Sequence, residues 1–270
     1  MKSKLLVTVL SATLVNSCVK VKMESDLNPI SGKTEGRENI IEKTYAYTFD
    51  EIEVSTSISA EIIKSDEERI VIEAPGDLMD RVKVERDGHK VHIFINSQGI
   101  FNAGTANNIR AIIYAKDFSA LSADSGAQIT LKDKFLQEKV EVNVSSSGSV
   151  SGDLEANDFK VSTSSSGDFS GKIWAINLTA HASSSGSINA SGKVKHSKIQ
   201  ATSSGHFSGN ELLTETADLS ASSAGNIAMK VSTSVSADAS SGGNIEIKKA
   251  GNLKVIQMEE DSGGSVTVSQ

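Results

Sequence analysis

Acidic and histidine side chains are the residues of this chain that could do chemistry. Asp153, Asp158 and Asp168 fall in neighbouring repeats of the sequence, as do Glu141 and Glu155. Carboxylates paired on one face would suit cleavage of a polysaccharide, in which one carboxyl group donates a proton and the other accepts one. Lysines alternate with these carboxylates, which is also typical of an ordinary solvated face.

The histidines and the cysteine do not form a recognisable metal site. The five histidines occupy different offsets in their repeats, and no pair has a convincing metal-ligand spacing. A single cysteine excludes both an intramolecular disulfide and a metal site built from cysteines. Neither a nucleophile elbow nor a phosphate loop is present. The sequence therefore predicts no catalytic residue, no metal and no cofactor. The histidines are His89, His92, His181, His196 and His206.

The only tryptophan, Trp174, is the candidate for a surface contact. Its neighbour Ile173 belongs to a column of apolar residues that should face inward, so strand alternation points Trp174 outward. An exposed indole can contact a sugar or a protein partner. Packing against a neighbouring loop is the alternative. The formal net charge of −7 argues against a nucleic-acid partner.

A short repeated motif indicates which secondary-structure elements position these side chains. A variant of Ser-Ser-Gly occurs eight times between residues 124 and 270, at steps of 18 to 22 residues. Such a step is typical of a solenoid. Glycine is expected at each corner because it reaches positive φ at little steric cost. The final glycines are Gly126, Gly148, Gly167, Gly186, Gly205, Gly225, Gly243 and Gly264.

An apolar residue follows each glycine at a fixed offset. In seven repeats it comes two positions later, and in the first repeat Ile129 comes one position late. Stacked coils would place these side chains in one inward column. We predict an all-β fold: a right-handed parallel β-helix (solenoid) with coils of about 19–20 residues. The seven residues are Val150, Phe169, Ile188, Phe207, Ile227, Ile245 and Val266.

Residues 44–270 form the predicted solenoid, and residues 44–123 are its less regular N-terminal part. Alternating apolar residues around Asp87-Gly88 predict a β-hairpin over 82–95. We interpret 44–123 as irregular first coils that carry this inserted hairpin, and 124–270 as the regular coils. An independent N-terminal sandwich is the alternative.

The first residues are typical of an export signal. Residues 1–18 combine two lysines with an apolar run, and they end in Leu14-Val15-Asn16-Ser17-Cys18, which resembles a bacterial lipobox. Cys18 is then the predicted lipid attachment site, and residues 19–43 are a disordered tether. An ordinary signal peptide with an incidental cysteine is the alternative. The lipobox predicts a cell-envelope lipoprotein, in the outer membrane of a Gram-negative bacterium.

Two sets of residues resemble a known bacterial family, the putative auto-transporter adhesins with a head GIN domain. They are the segment Phe49–Ser55 and the repeated motif, most clearly Ser185–Asn189 and Ala224–Ile227. The resemblance covers about residues 45–268. It implies an exported, commonly lipid-anchored β-helical protein, without a catalytic motif, that binds a glycan or a protein. A β-helical carbohydrate-active enzyme and a self-associating structural protein are the alternatives.

Overall fold

The computed structural model describes residues 19–20, 39–96 and 108–270. The predicted signal peptide with Cys18 lies outside these ranges, as does most of the predicted tether. The described chain consists of strands with a short 3₁₀ helix, Met79–Arg81. The strands are β1 Val19–Lys20, β2 Ile40–Tyr45, β3 Glu51–Val54, β4 Ser59–Lys64, β5 Arg69–Pro75, β6 Val82–Asp87, β7 Lys90–Ile95, β8 Arg110–Ala115, β9 Ala120–Ala123, β10 Gln128–Leu131, β11 Phe135–Val144, β12 Ser149–Ser151, β13 Leu154–Thr163, β14 Asp168–Ala182, β15 Ser187–Ala201, β16 His206–Ala221, β17 Asn226–Ala239, β18 Asn244–Lys249, β19 Lys254–Glu260 and β20 Ser265–Ser269.

Successive coils pair in parallel, so that each residue lies beside its equivalent in the next coil. Ile188 pairs with Phe169 on one side and with Phe207 on the other, at steps of 19 residues. Strands β14, β15 and β16 each run through almost a whole coil. The predicted all-β solenoid of parallel coils is therefore confirmed.

The core consists of the predicted inward columns. The residues that follow each glycine are buried, from Ile129 to Val266, and so are Leu154 and Ile173 in a second column. Val255 differs, because 38% of it is exposed although it pairs in register with the buried Val235 of the preceding coil. It lies in β19, which pairs only with β17 among the described residues, so one side of this strand is uncovered.

The corners differ from the predicted geometry, because the serines adopt positive φ and most of the final glycines do not. In one corner the φ of Ser165 is 48° and that of Ser166 is 62°. The N–H of Gly167 donates to the carbonyl oxygen of Ser164 at 2.8 Å, which closes a type I′ turn. Each serine held at positive φ costs about 1–2 kcal/mol. The N–H of Ser166 offsets part of this cost by donating to a carbonyl of the next coil at 3.2 Å.

The final glycine is needed for close approach between coils. A Cβ atom on Gly167 would lie 2.5 Å from the carbonyl oxygen of Val144 in the preceding coil. That oxygen already accepts the N–H of Ser164 at 2.9 Å, so moving it would disturb the hydrogen bonds between coils. Gly148 stands equally close to the carbonyl oxygen of Ala123.

The first corner of the regular region is shifted by one residue from the alignment on glycine. Gly126 has a φ of 78° and takes the place of a serine, and Ala127 takes the place of the final glycine. This shift explains why Ile129 comes one position late. A further corner has no glycine: Thr56 and Ser57 have φ values of 57° and 58°, and the Ser57 N–H bonds to the corner of the next coil.

The first coils do not stack in chain order. Strand β3 pairs in parallel with β7 and β9, and β4 pairs in parallel with β8 and β10. The coil of β3 and β4 therefore lies between the coil of β7 and β8 and that of β9 and β10. Strands β6 and β7 form the predicted hairpin over 82–95, which is confirmed. Antiparallel strands β5 and β2 continue the sheet beyond β8.

The predicted tether extends too far toward the regular fold. Residues 40–43 lie in β2, which pairs antiparallel with β5 and also with β1. Sequence reasoning missed this strand, which lies near the edge of the sheet. None of its residues is fully buried, and its first four positions alternate only between exposed and half-buried.

Candidate functional site

A groove of about 450 Å³ crosses the coils of β13 to β16, and we call it the Trp174 groove. Its floor is a row of small side chains in register, Ala156, Ala175 and Val194. The residues on either side of this row form two walls, and all of them are more exposed than the floor residue beside them except Trp174, which is half-buried like Ala175. The groove therefore arises because inward positions with small side chains are flanked by larger outward ones.

The two walls change character from one coil to the next. In β14 the floor residue Ala175 lies between Trp174 and Ile176, which are apolar. In β15 the equivalent residue Val194 lies between Lys193 and Lys195. An apolar section and a cationic section are thus one strand spacing apart, about 4.8 Å.

Two lysines hold the indole of Trp174. The Nζ atoms of Lys134 and Lys172 each lie 4.4 Å from the centre of its ring. Lys134 also forms an ion pair with Glu155, which lies one coil before Trp174 in the same wall. A cation over an aromatic ring is worth about 0.5–1 kcal/mol at an exposed site. These contacts fix the tryptophan as a half-buried part of the groove.

The groove exposes large apolar side chains to solvent. Leu136 is 67% exposed and Ile176 is 47% exposed, and both line the groove together with Leu213. Single exposed apolar residues are common, but a cluster of them beside a concave surface is typical of a binding site. The arrangement can therefore take an apolar ligand group and place it beside ammonium groups.

A family model described as putative auto-transporter adhesin, head GIN domain, matches residues 48–172 and 149–251. These ranges together cover most of the chain. The chain belongs to this family. Membership in the head GIN family favours adhesion or ligand binding at the cell envelope or surface, as the resemblance of the repeated motif predicts.

Solved structures share the head GIN fold at low sequence identity. A putative lipid binding protein from Parabacteroides distasonis is 19% identical, with a TM-score of 0.73 over 87% of this chain and 98% of its own. A putative adhesin from Parabacteroides merdae is 16% identical, with a TM-score of 0.72 over 87% and 98%. A putative adhesin from Bacteroides fragilis is 13% identical, with a TM-score of 0.64 over 88% and 99%. A search of curated proteins found no match.

Four of the five carboxylates considered for catalysis, all but Asp153, contact a polar or cationic side chain in the head GIN solenoid. Asp158 accepts a hydrogen bond from the amide of Asn177 at 2.7 Å. Glu141 accepts one from the ammonium group of Lys160 at 2.9 Å, and this bond lowers the pKa of Glu141. A general acid requires a raised pKa, so this shift is in the wrong direction for that role.

The structure brings together a serine, a histidine and a glutamate that the sequence analysis did not single out as a group. His92 Nε2 lies 2.9 Å from Ser55 Oγ and 3.5 Å from Glu53 Oε1. A hydrolytic triad uses the two ring nitrogens separately, one for the nucleophile and one for the acid. Here the same nitrogen, Nε2 of His92, lies near both the serine and the glutamate, and Ser55 is buried. The cluster is therefore a structural contact between β3 and β7.

Neither a cluster of three metal-ligating side chains nor a membrane-spanning helix is present in the part of the chain that the structure describes. Within residues 39–96 and 108–270, no three His, Cys, Asp or Glu side chains are placed to hold a metal ion. No helix in these ranges is long and apolar enough to cross a bilayer.

Of the predicted site residues, Trp174 lies in the wall of the groove, and its role as a surface contact stays a prediction. Sequence reasoning missed its partners Leu136, Ile176 and Lys195. Leu136 and Lys195 come near Trp174 through the register between coils, which no single repeat shows. Ile176 is two residues from Trp174 in the same strand, so strand alternation alone could have placed it on the same face.

Proposed function

We propose that this chain is a lipid-anchored, non-enzymatic cell-envelope protein that binds its ligand in the Trp174 groove. The observation that carries the proposal is the cluster of exposed apolar side chains, Leu136 and Ile176, beside the lysine-held indole of Trp174. Family membership supports adhesion or ligand binding as the general role.

The solenoid gives the groove a rigid base. The floor lies on strands β13 to β15, and the walls extend from Leu136 in β11 to Ser232 in β17. These strands pair with their neighbours along most of their length. Binding elements on such a scaffold lose little conformational freedom when a ligand binds, so more of the contact energy appears as affinity.

Removing the apolar side chains of the groove should weaken binding without unfolding the protein. We expect the double variant Leu136→Ser/Ile176→Ser to bind about tenfold more weakly or worse. The measurement is binding of the purified full chain to arrays of glycans, matrix proteins and lipids, followed by titration of each positive ligand. Thermal unfolding of the variant should change little, because both residues are exposed.

The matched control is Ile40→Ser/Ile256→Ser. These residues are 47% and 64% exposed and lie outside the groove, so the control removes a similar apolar surface elsewhere. It should bind like the wild type. Equal binding by the groove variant and the wild type would contradict the proposal, as would a wild type that binds no class of ligand.

Lipid anchoring through Cys18 is the second part of the proposal. The supporting observation is the lipobox-like segment that ends at the only cysteine. Each acyl CH₂ group buried in a bilayer contributes about 0.8 kcal/mol, so several chains hold a protein firmly. In bacteria fed a clickable fatty acid, the wild type should be labelled and should sediment with membranes. Cys18→Ala should lose both properties, and a labelled Cys18→Ala protein would refute the assignment.

A further inference from the structure

We infer that the ligand of the Trp174 groove is an anionic amphiphile, an apolar chain that ends in a carboxylate or phosphate group. This inference rests on the proposed function and specifies its ligand class. The apolar chain lies along Ala175 between Trp174 and Ile176, and the acidic group lies over Val194 between Lys193 and Lys195.

The register between coils places the two sections side by side. Trp174 pairs with Lys193 and Ala175 pairs with Val194, so the apolar section passes directly into the cationic one. On the other side of the apolar section, Leu136 extends the apolar surface beyond Glu155. A ligand with an apolar part next to an acidic group therefore matches these two adjacent sections of the groove.

The lysine pair is available for an anion. Lys193 and Lys195 are both exposed, and neither forms an ion pair with a carboxylate of residues 39–96 or 108–270. Two carboxylates line the groove. Glu155 is already paired with Lys134. Glu215 lies beside Lys195 in the next coil, but in the described ranges the two form no ion pair, so Lys195 can still contact an anion. The whole chain carries a net charge of −7, so this free cationic pair is a local exception to its overall charge. Two ammonium groups on opposite walls suit a carboxylate or phosphate group with several oxygen atoms.

The surroundings of the indole favour an alkyl chain over a sugar. The ammonium groups of Lys134 and Lys172 lie over the ring of Trp174, so at least one of its faces is occupied. A stacked sugar needs a free face and polar partners for its hydroxyl groups. Near the indole the surface is aliphatic, from Leu136, Ile176 and Val194, whereas polar side chains line other parts of the groove. A volume of about 450 Å³ is in the usual range for one small ligand.

The single tryptophan makes the test direct, because the intrinsic indole fluorescence reports only on this groove. The purified full chain is titrated with dodecanoate and with dodecyl phosphate, which separate the carboxylate and phosphate sources. Dodecyltrimethylammonium and dodecanol are the cationic and neutral probes. The ionic probes are kept below their micelle concentrations, and dodecanol is kept below its solubility limit. We expect a saturable change with at least one anionic probe, at an affinity about tenfold or more above that for the cationic and neutral probes.

Variants of Lys193 and Lys195 test whether the acidic group of the ligand lies between these two side chains. Lys193→Gln/Lys195→Gln should lower the affinity for the anionic probe about tenfold and leave that for dodecanol unchanged. The matched control Lys198→Gln/Lys254→Gln removes two exposed lysines outside the groove and should bind like the wild type. Unchanged thermal unfolding of both variants excludes misfolding as the cause.

The remaining outcomes overturn the inference in distinguishable ways. Equal affinity for the cationic and anionic probes would refute the anionic ligand but keep the groove as a binding site. Vesicles of anionic lipid are a further probe. A fluorescence change with these vesicles, but with none of the single amphiphiles, would point to a bilayer surface as the ligand. No response to any probe, together with an array ligand that is lost in Leu136→Ser/Ile176→Ser, would refute this inference and leave the proposed function standing.

Discussion

Gly167→Ala is expected to destabilise the solenoid by about 3 kcal/mol, because the added methyl group has no room between two coils. Its Cβ atom would lie 2.5 Å from the carbonyl oxygen of Val144 and 2.7 Å from the carbonyl carbon. Relief requires the coils to separate, and this would stretch the hydrogen bond from the Ser164 N–H to the same oxygen. The measurement is urea unfolding followed by circular dichroism.

The control for Gly167→Ala lies in the same turn. Ser166→Gly relieves a serine held at a φ of 62° but makes the unfolded chain more flexible, so the two effects nearly cancel. We expect a change within about 0.5 kcal/mol. The chain itself has glycine at the equivalent place in Gly242 and Gly263. If Gly167→Ala is as stable as the wild type, the close approach of the coils is not what requires glycine.

Phe169→Ala is expected to cost about 3–5 kcal/mol, because it opens a cavity in the stacked core. Phe169 is completely buried and lies between Val150 and Ile188 in the inward column. Its ring centre is 5.9 Å from that of Phe159, in a tilted contact that the substitution also removes. Hydrogen exchange should show the largest loss of protection in the amides of the adjacent strands β12 to β15.

Ile176→Ala provides the comparison for Phe169→Ala, since it shortens an apolar side chain of the same strand on the solvent side. We expect it to change the free energy of unfolding by no more than about 0.5 kcal/mol. A similar cost for both substitutions would mean that the inward column does not carry the stability of the solenoid.

The core of this fold could be predicted from the sequence because two periodicities coincide in it, the spacing of the repeats and the alternation of apolar with polar residues. Ile188 and Phe207 occupy the same offset from a glycine, and their neighbours alternate between apolar and polar residues. A constant offset identifies the stacked column, and the alternation identifies strands. Cys18 and the predicted leader were read from local motifs, which the described residues do not test.

The remaining features depend on contacts that no local pattern records. The positive φ of Ser166 was missed because glycine is the usual residue for that conformation, whereas here a carbonyl of the preceding coil excludes a side chain from Gly167. The groove was missed because Leu136 and Ile176 are far apart in the chain and meet through coil register. Trp174 could be chosen from its type alone, but its lysine neighbours could not.

The interleaved order of the first coils sets a sequence of events for the growing chain. Among the described residues strand β3 pairs only with β7 and β9. It therefore gains its first such partner once synthesis has passed Lys90, and its second partner begins at Ala120. The corner at Ser57 must wait for Ser125, to which it bonds. Closing so long a loop has a large entropic cost and slows folding. The coil of β3 and β4 is therefore synthesised early, but its pairing is completed only after the coils on both sides of it have been made.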